Sequence, residues 1–334
     1  MIGEAIGAVS SVTAIVPNWN RRELLATVLA DLARQTRPFK EILVVDNGSS
    51  DGSAQVAAGA GARVLQMGAN AGFSRAVNCG IRAALTPWVA VVNNDVELAA
   101  DWLERLQEAA LKEQAWFAAG KVLKAANREV IDGTYDEICR GACGWRAGHD
   151  RPDGPAWGQP RPIRFASFTA TLFRTELFGK VGLLDEQFES YLEDVDFGLR
   201  CAKEGYRGVY APSAVACHAG SATLGEWHPE TVRRIARNQL WLVAKHFPKR
   251  WARRYGWPVF VAQALWGLVA LRHGAGWAFV RGKAEALCRF RAVRAGGQGW
   301  SGIEAVLEES EKELLRMQRQ TGFDLYWRLY FALT

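Results

Sequence analysis

Glu41-Ile42-Leu43-Val44-Val45-Asp46-Asn47-Gly48-Ser49-Ser50-Asp51-Gly52-Ser53 decides the fold. Ile42 to Val45 is an unbroken apolar run, and a strand of that kind is covered on both faces. The polar tail reads as a tight turn, because Asp, Asn, Gly and Ser supply turn conformations and local hydrogen bonds; Asp51 is expected to cap it. Turn residues just beyond a buried strand lie at the carboxyl edge of a sheet, where open α/β sheets bind ligands.

The pattern repeats on both sides. Val12 to Val16 is a second apolar run, closed by Pro17. Asn20 is expected to cap the next helix with Glu23 as its partner, and Leu24, Leu25, Val28, Leu29 and Leu32 are expected to give that helix an apolar face. Ala62 to Gln66 is strand-like and precedes Asn70-Ala71-Gly72-Phe73, with Ser74 as the expected cap of a following helix. Pro87 to Val92 forms a fourth strand running into Asn93-Asn94-Asp95, and a helix follows from about Asp101 to Lys112. Strands alternating with helices predict an α/β fold with a largely parallel central sheet and helices on both faces. Residues 132–162, rich in Gly, Pro, Arg and Trp, read as long loops. Phe165 to Phe173 is expected to return to the sheet, and Gly208 to Pro212 and Ala214 to His218 are the last strand-like runs.

A second stretch, Tyr191-Leu192-Glu193-Asp194-Val195-Asp196-Phe197-Gly198-Leu199-Arg200, places three carboxylates within four residues. Val195, Leu199 and Ala202 follow at helical spacing, and acids in a first turn suit the helix dipole. The stretch reads either as a capped surface helix or as a general base held at a helix start. Asp196 stands four residues before Arg200 and is expected to pair with it.

The bulk properties exclude several classes. The 334 residues carry a net charge of +6, and six cysteines are scattered without a zinc pattern. A reduced, cytoplasmic setting is expected. No basic segment followed by an apolar run opens the chain, so no signal peptide is read. No GxGxxG follows the first strand, and neither a P-loop nor a GxSxG elbow is present.

Taken in order, Ile15-Val16-Pro17-Asn18-Trp19-Asn20, Val44 to Asp51, Asn70 to Phe73, Asn93-Asn94-Asp95 and Glu193 to Asp196 resemble the family 2 glycosyltransferases of the GT-A fold. Within that family they look most like the rhamnosyltransferase-type members of bacterial surface-polysaccharide synthesis. The resemblance spans roughly residues 10–250. It implies that Pro17, Trp19 and Asp46 line a nucleotide-base pocket, and that Asn70, Gly72, Asn78 and Asn94 stand near the base or diphosphate. Asp95 would bind a divalent cation, Mg²⁺ or Mn²⁺, with His218 as a further metal- or diphosphate-side residue. Asp194 would be the catalytic base, with Glu193 beside it. The chemistry is consistent: a departing diphosphate gathers negative charge that a hard cation neutralises, and an acceptor hydroxyl needs a carboxylate to take its proton. The metal motif carries one carboxylate, because Asn93 and Asn94 stand where acids are possible. Phe168-Thr169-Ala170-Thr171 departs from the Gly-Ala pair common in the family before the base.

The resemblance implies an inverting transferase that moves a sugar, best matched by dTDP-rhamnose, from a nucleotide donor to a polysaccharide or lipid-linked acceptor. A UDP-hexose donor on the same machinery, and a non-catalytic glycan-binding module, are the alternatives. The catalytic domain is placed at residues 10–228 and a helical, basic region at 229–334. Residues 248–294 hold ten Lys or Arg and one acid, Glu285, and Tyr255 to Leu271 is an uncharged run of 17 residues. A crossing needs roughly 20 apolar residues, and both flanks of this run are basic. A segment lying in an anionic membrane interface at the inner face of the cell membrane is expected, against the alternatives of a buried helix of a C-terminal subdomain or a dimer interface. No nucleic-acid-binding motif is present, and the oligomeric state is not read.

Overall fold

The computed structural model describes residues 11–220, 227–297, 299–300 and 302–334; the expected domain start at residue 10 lies outside them. The apolar runs become the central strands. β1 (Val12–Asn18), β2 (Glu41–Asp46), β3 (Arg63–Gln66) and β4 (Trp88–Val92) alternate with α1 (Arg22–Ala33), α2 (Ser53–Gly59) and α3 (Phe73–Ala83). Next come β5 (Val96–Leu98), α4 (Trp102–Lys112), β6 (Phe117–Lys124), β7 (Asn127–Gly133), β8 (Asp136–Ile138), β9 (Gly144–Arg146), β10 (Arg161–Ile163) and β11 (Ala170–Arg174). α5 (Thr175–Val181), α6 (Glu193–Lys203) and β12 (Gly208–His218) follow.

The sheet order is β10-β12-β6-β11-β4-β1-β2-β3, with β5 added to β12 and β7 to β6. β1 to β4, β6 and β12 point one way, and β5, β7, β10 and β11 run against their neighbours. The expected mostly parallel α/β sheet is therefore present, with a reversed strand, β11, inside it. Leu25, Val28, Leu32, Trp102 and Leu106 cover one face from α1 and α4. Val77, Ile81, Leu177, Phe178 and Phe197 cover the other from α3, α5 and α6. Each fully buried side chain of this kind contributes about 1.5–3 kcal/mol, so both helical layers hold the sheet.

Three local expectations are corrected. Asn20 does not cap α1: Asn20 and Arg21 have φ of 57° and 66°, and Asn20 Oδ1 accepts from Ser50 N at 3.0 Å. The helix start is capped from the neighbouring turn, where Asp51 Oδ2 accepts from Arg22 N at 2.9 Å. Ser74 lies inside α3, and its hydroxyl donates to Glu189 O at 3.2 Å. Residues 132–162 are not simply loops, since they hold the β8–β9 hairpin and β10. Those strands have three residues each, and β8 buries Asp136 and Glu137 beside Ile138, which erases the alternation a strand needs to be read.

Beyond β12, α7 (Pro229–His246), α8 (Trp251–Arg272), α9 (Gly276–Gly296), α10 (Ile303–Thr321) and α11 (Leu325–Leu333) complete the chain. Val261, Ala262, Leu314, Met317, Trp327 and Tyr330 join the same buried cluster as Phe117, Phe173 and Tyr210 of the sheet. The C-terminal helices therefore share the sheet's core. One face of α8, with Val261 and Ala262, is buried in it. Among the described residues no helix is long and apolar enough to cross a membrane.

Candidate active site

The carboxyl ends of β1, β2 and β4 and the start of β11 open onto a cleft of about 720 Å³. Pro17, Asn18 and Trp19 line one side of it, and Asn93, Asn94 and Asp95 lie along its floor. Gly48 allows the β2 turn to close: its φ is +81°, and a Cβ there would stand 2.6 Å from Ala69 Cα. Asn47 then ties the turn to the 70–72 loop, accepting from Ala71 N at 2.8 Å and donating to Asn70 Oδ1 at 3.0 Å. Asn94 Nδ2 donates to Asn18 Oδ1 at 2.6 Å. Asp46 is buried beneath the turn; its Oδ2 accepts from Ser49 N at 3.3 Å, and its buried Oδ1 has no hydrogen-bond partner. A buried acceptor left open is costly; Asp46 itself is not among the residues lining the cleft, to which this strand end contributes Asn47.

Asn78 does not reach the cleft. Its amide is spent on Leu184, donating to the carbonyl at 2.9 Å and accepting from the N–H at 3.0 Å, so it braces α3 against the segment before α6. Gly72 and Asn70 do line the cleft, as do Phe168 and Thr169 of the departing segment.

Asp95 and His218 meet at the far end of β12. His218 Nε2 lies 3.2 Å from Asp95 Oδ1, and Nδ1 donates to Asp132 Oδ2 at 2.9 Å. Burial alone would depress the imidazole, but hydrogen bonds to Asp132 and Asp95 lift it to about 9. Among the described residues no group of three or more His, Cys, Asp or Glu gathers as a ready metal cage. The donor set fits a dication with one condition: Asp95 offers a carboxylate, the buried Asn93 Oδ1 has no partner, diphosphate oxygens and water can complete an oxygen-rich shell, and the His218 imidazole can join only if the entering cation displaces its Nε2 proton. Asp132, hydrogen-bonded to His218 Nδ1, stands where an outer carboxylate would orient a ligating imidazole.

Glu193 and Asp194, at the start of α6, line the same cleft. They are aimed by a turn in which Glu189, Tyr191 and Leu192 have φ of 64°, 69° and 65°. Such conformations cost about 1–3 kcal/mol each for residues with a Cβ, so the turn needs support. α7 supplies it. Asn238, fully buried, donates its amide to the carbonyls of Phe188 (3.1 Å), Ser190 (3.1 Å) and Tyr191 (2.7 Å). Arg237 donates to Phe188 O at 3.0 Å and to Glu189 Oε1 at 2.9 Å. Asp196 turns away from the cleft and receives Arg200 Nε (3.0 Å), His246 Nε2 (2.7 Å) and Lys245 Nζ (2.7 Å). The expected Asp196–Arg200 pair is present within that larger network.

Burial raises the carboxyls of both Glu193 and Asp194, and the Asp194 charge raises Glu193 further. Arg146 opposes the rise in both. It enters from β9, with Nη1 3.5 Å from Asp132 and Nε 3.8 Å from Asp136. Asp136 is buried beside it and pushed up to about 7, chiefly by burial. Asn18, Asn47, Asp132, Asp136 and Arg146 are the site residues that sequence reasoning missed. The two asparagines flank residues already singled out. The only sequence signal for the others is a run of acids at 132, 136 and 137 in a Gly- and Trp-rich segment.

Residues 13–182 match the family model of glycosyl transferase family 2, and residues 165–281 match glycosyl transferase family group 2. The chain is similar to the N-acetylglucosaminyl-diphospho-decaprenol L-rhamnosyltransferase of Mycobacterium tuberculosis, at 31% identity over 229 residues, 60% of this chain and 73% of that one. Its fold is similar to that of a mannosyltransferase from Pyrobaculum calidifontis solved with GDP-Man and Mn²⁺ (TM-score 0.53, 18% identity, 96% of this chain and 86% of that one). It is also similar to GalNAc-T7 solved with UDP, GalNAc and Mn²⁺ (TM-score 0.60, 14% identity, 93% of this chain and 58% of that one). At these identities the two solved structures speak for a GT-A-type fold alone.

Proposed function

Since this chain belongs to glycosyl transferase family 2, we propose that it is an inverting enzyme that moves rhamnose from dTDP-rhamnose to a saccharide carried on a lipid diphosphate. The single observation that carries this reading is that the acids Glu193 and Asp194 and the Asp95–His218 pair line one and the same cleft. The relative, an L-rhamnosyltransferase of a diphospho-decaprenol substrate, supports the sugar and the lipid-linked acceptor.

In the mechanism, Pro17 and Trp19 hold the nucleotide base and Asp46 Oδ1 accepts from it. Asn94, steadied by Asn18, faces the diphosphate. Asp194 takes the proton of the acceptor hydroxyl as its oxygen bonds to the anomeric carbon. The bond from that carbon to the diphosphate oxygen breaks on the opposite side, and the electron pair leaves with the nucleotide. Attack opposite the leaving group inverts the anomeric centre. Asp95 and His218 would hold a divalent cation, which supplies charge neutralisation to the leaving diphosphate. Asp194 suits the role of base because burial raises its proton affinity, and catalytic bases work best with a pKa near the working pH. Residues 10–228 would hold the chemistry, and 229–334 would brace it and work against the inner face of an anionic membrane.

The test is turnover of a panel of sugar nucleotides with a lipid-linked acceptor extract, with Mg²⁺ or Mn²⁺ and with chelator, read as nucleoside diphosphate release. Release from dTDP-rhamnose that chelator abolishes supports the reading. Release from a UDP-hexose instead would overturn the donor, and release that survives chelator would remove the metal role of Asp95.

A further inference from the structure

We propose that the exposed apolar face of the α8–α9 hairpin lies in the headgroup layer of an anionic bilayer and holds the mouth of the cleft against it. This rests on the reading that the acceptor is lipid-linked, and it names the surface that would meet the lipid.

α8 has two apolar faces. Tyr255, Val259, Val261 and Ala262 are buried against the body of the protein. On the other side Trp257, Phe260, Leu268 and Leu271 are 58%, 62%, 62% and 66% exposed. At 1.5 Å per residue this stripe is about 21 Å long. α9 continues it with Trp277, 79% exposed, and Val280. Scattered surface leucines need no explanation, but a contiguous stripe of large apolar side chains does.

The charge around the stripe selects the occupant. Exposed Arg253, Arg272, Arg281 and Arg291 lie along the two helices. Between residues 231 and 303 the one acid is Glu285, already engaged by Arg233 and, at 3.3 Å, by Arg281. An apolar face with Trp and a cationic rim fits an anionic lipid surface, with side chains entering roughly 5–10 Å.

The hairpin is fixed to the cleft. Trp227 stacks on His273 at 3.9 Å, and Val232 packs with Ala270, Ala275 and Ala278 at the hairpin's tip. α9 seats directly on α7 at Gly282, where a Cβ would stand 2.2 Å from Arg233 O. Glu230 and Arg234, in the first turns of α7, line the cleft. A bilayer touching the tip therefore presents a lipid-borne saccharide beside the cleft mouth.

The test is flotation of the full chain with phosphatidylcholine vesicles, with and without phosphatidylglycerol, in the absence of any sugar substrate. We expect binding to the anionic vesicles alone, weakened by salt. The Leu271→Ser/Trp277→Ser pair should weaken it roughly 100-fold, and Arg272→Glu/Arg281→Glu should abolish it. Leu111→Ser, at an exposed leucine of α4, should bind as the wild type does, and the melting temperatures of all variants should stay close to wild type. Wild-type protein that ignores anionic vesicles, or a Leu271→Ser/Trp277→Ser variant that binds them unchanged, would overturn the proposal. So would a wild-type dimer in sedimentation that this variant converts to monomer, since the face would then cover a second copy. Because no sugar is present, failure here leaves the transferase reading standing, and failed turnover leaves the vesicle result standing.

Discussion

Replacing Asn238 with Ala should disable transfer without touching a residue that meets substrate. The Asn238 amide has two N–H groups and faces three carbonyls, of Phe188, Ser190 and Tyr191, at 2.7–3.1 Å in a fully buried position. Leaving buried carbonyls unpaired costs about 1–3 kcal/mol each, so losing two donors should lower stability by about 2–6 kcal/mol. The same loss frees a turn in which three residues with side chains sit at positive φ. That strain, about 1–3 kcal/mol per residue, then relaxes and carries Glu193 and Asp194 away from their aim. A misplacement near 1 Å can cost about 10²-fold in rate. Nucleoside diphosphate release should therefore show kcat down roughly 100-fold with the donor KM little changed, because Trp19 and Asp46 stand on other elements. Urea unfolding measured alongside would report the stability loss and confirm that the variant is folded in the assay. If the protein loses the expected stability yet keeps wild-type kcat, α7 does not hold the turn and the reasoning fails.

Three further outcomes follow from the same geometry. Glu193 and Asp194 have carboxyls raised by burial, and a base must be deprotonated, so kcat/KM should fall as pH drops through their raised range; Arg146→Met should push that acid limb higher and cut kcat/KM at neutral pH roughly tenfold, recovered at higher pH, whereas an unmoved limb would remove Arg146 as counter-ion. Asp196 is held below its usual range because Arg200, His246 and Lys245 override its burial, so its stabilisation is present above the unfolded pKa and lost as pH falls through the lowered folded value; Asp196→Ala should cost about 3–5 kcal/mol at neutral pH by urea unfolding. Gly48→Ala should weaken donor binding by calorimetry, since its Cβ would collide with the Ala69 backbone at 2.6 Å and displace the 69–72 loop.

The sheet was legible because Val12 to Val16, Ile42 to Val45 and Pro87 to Val92 are apolar runs with polar residues at one end, and that pattern fixes both burial and edge. Asp95, His218, Glu193 and Asp194 were legible for the same reason, each standing at a strand end or helix start. Asp132, Asp136 and Arg146 were not. Asp132 lies near the end of β7, Asp136 and Arg146 lie on three-residue strands too short to show a period, and their mutual pairing becomes visible only when β7, β8 and β9 fold together. Asn78 misled because a polar residue on an amphipathic helix beside the cleft looks the same in sequence whether it faces a ligand or braces a neighbouring backbone. The two faces of α8 were merged in the sequence: an uncharged 17-residue run says that apolar surface exists, and not that half of it is buried in the protein's own core and half left outside.

The most direct test of the central claim is turnover and donor binding by Asp194→Asn. The raised folded pKa of Asp194 means that ionisation in place costs stability as pH rises through it, so the neutral amide should fold at least as well as the wild type at neutral pH. Loss of transfer by about 10²–10⁴-fold, with donor affinity by calorimetry unchanged, is the predicted result. Near wild-type turnover by that folded, donor-binding variant would contradict the account and take the catalytic base away from α6.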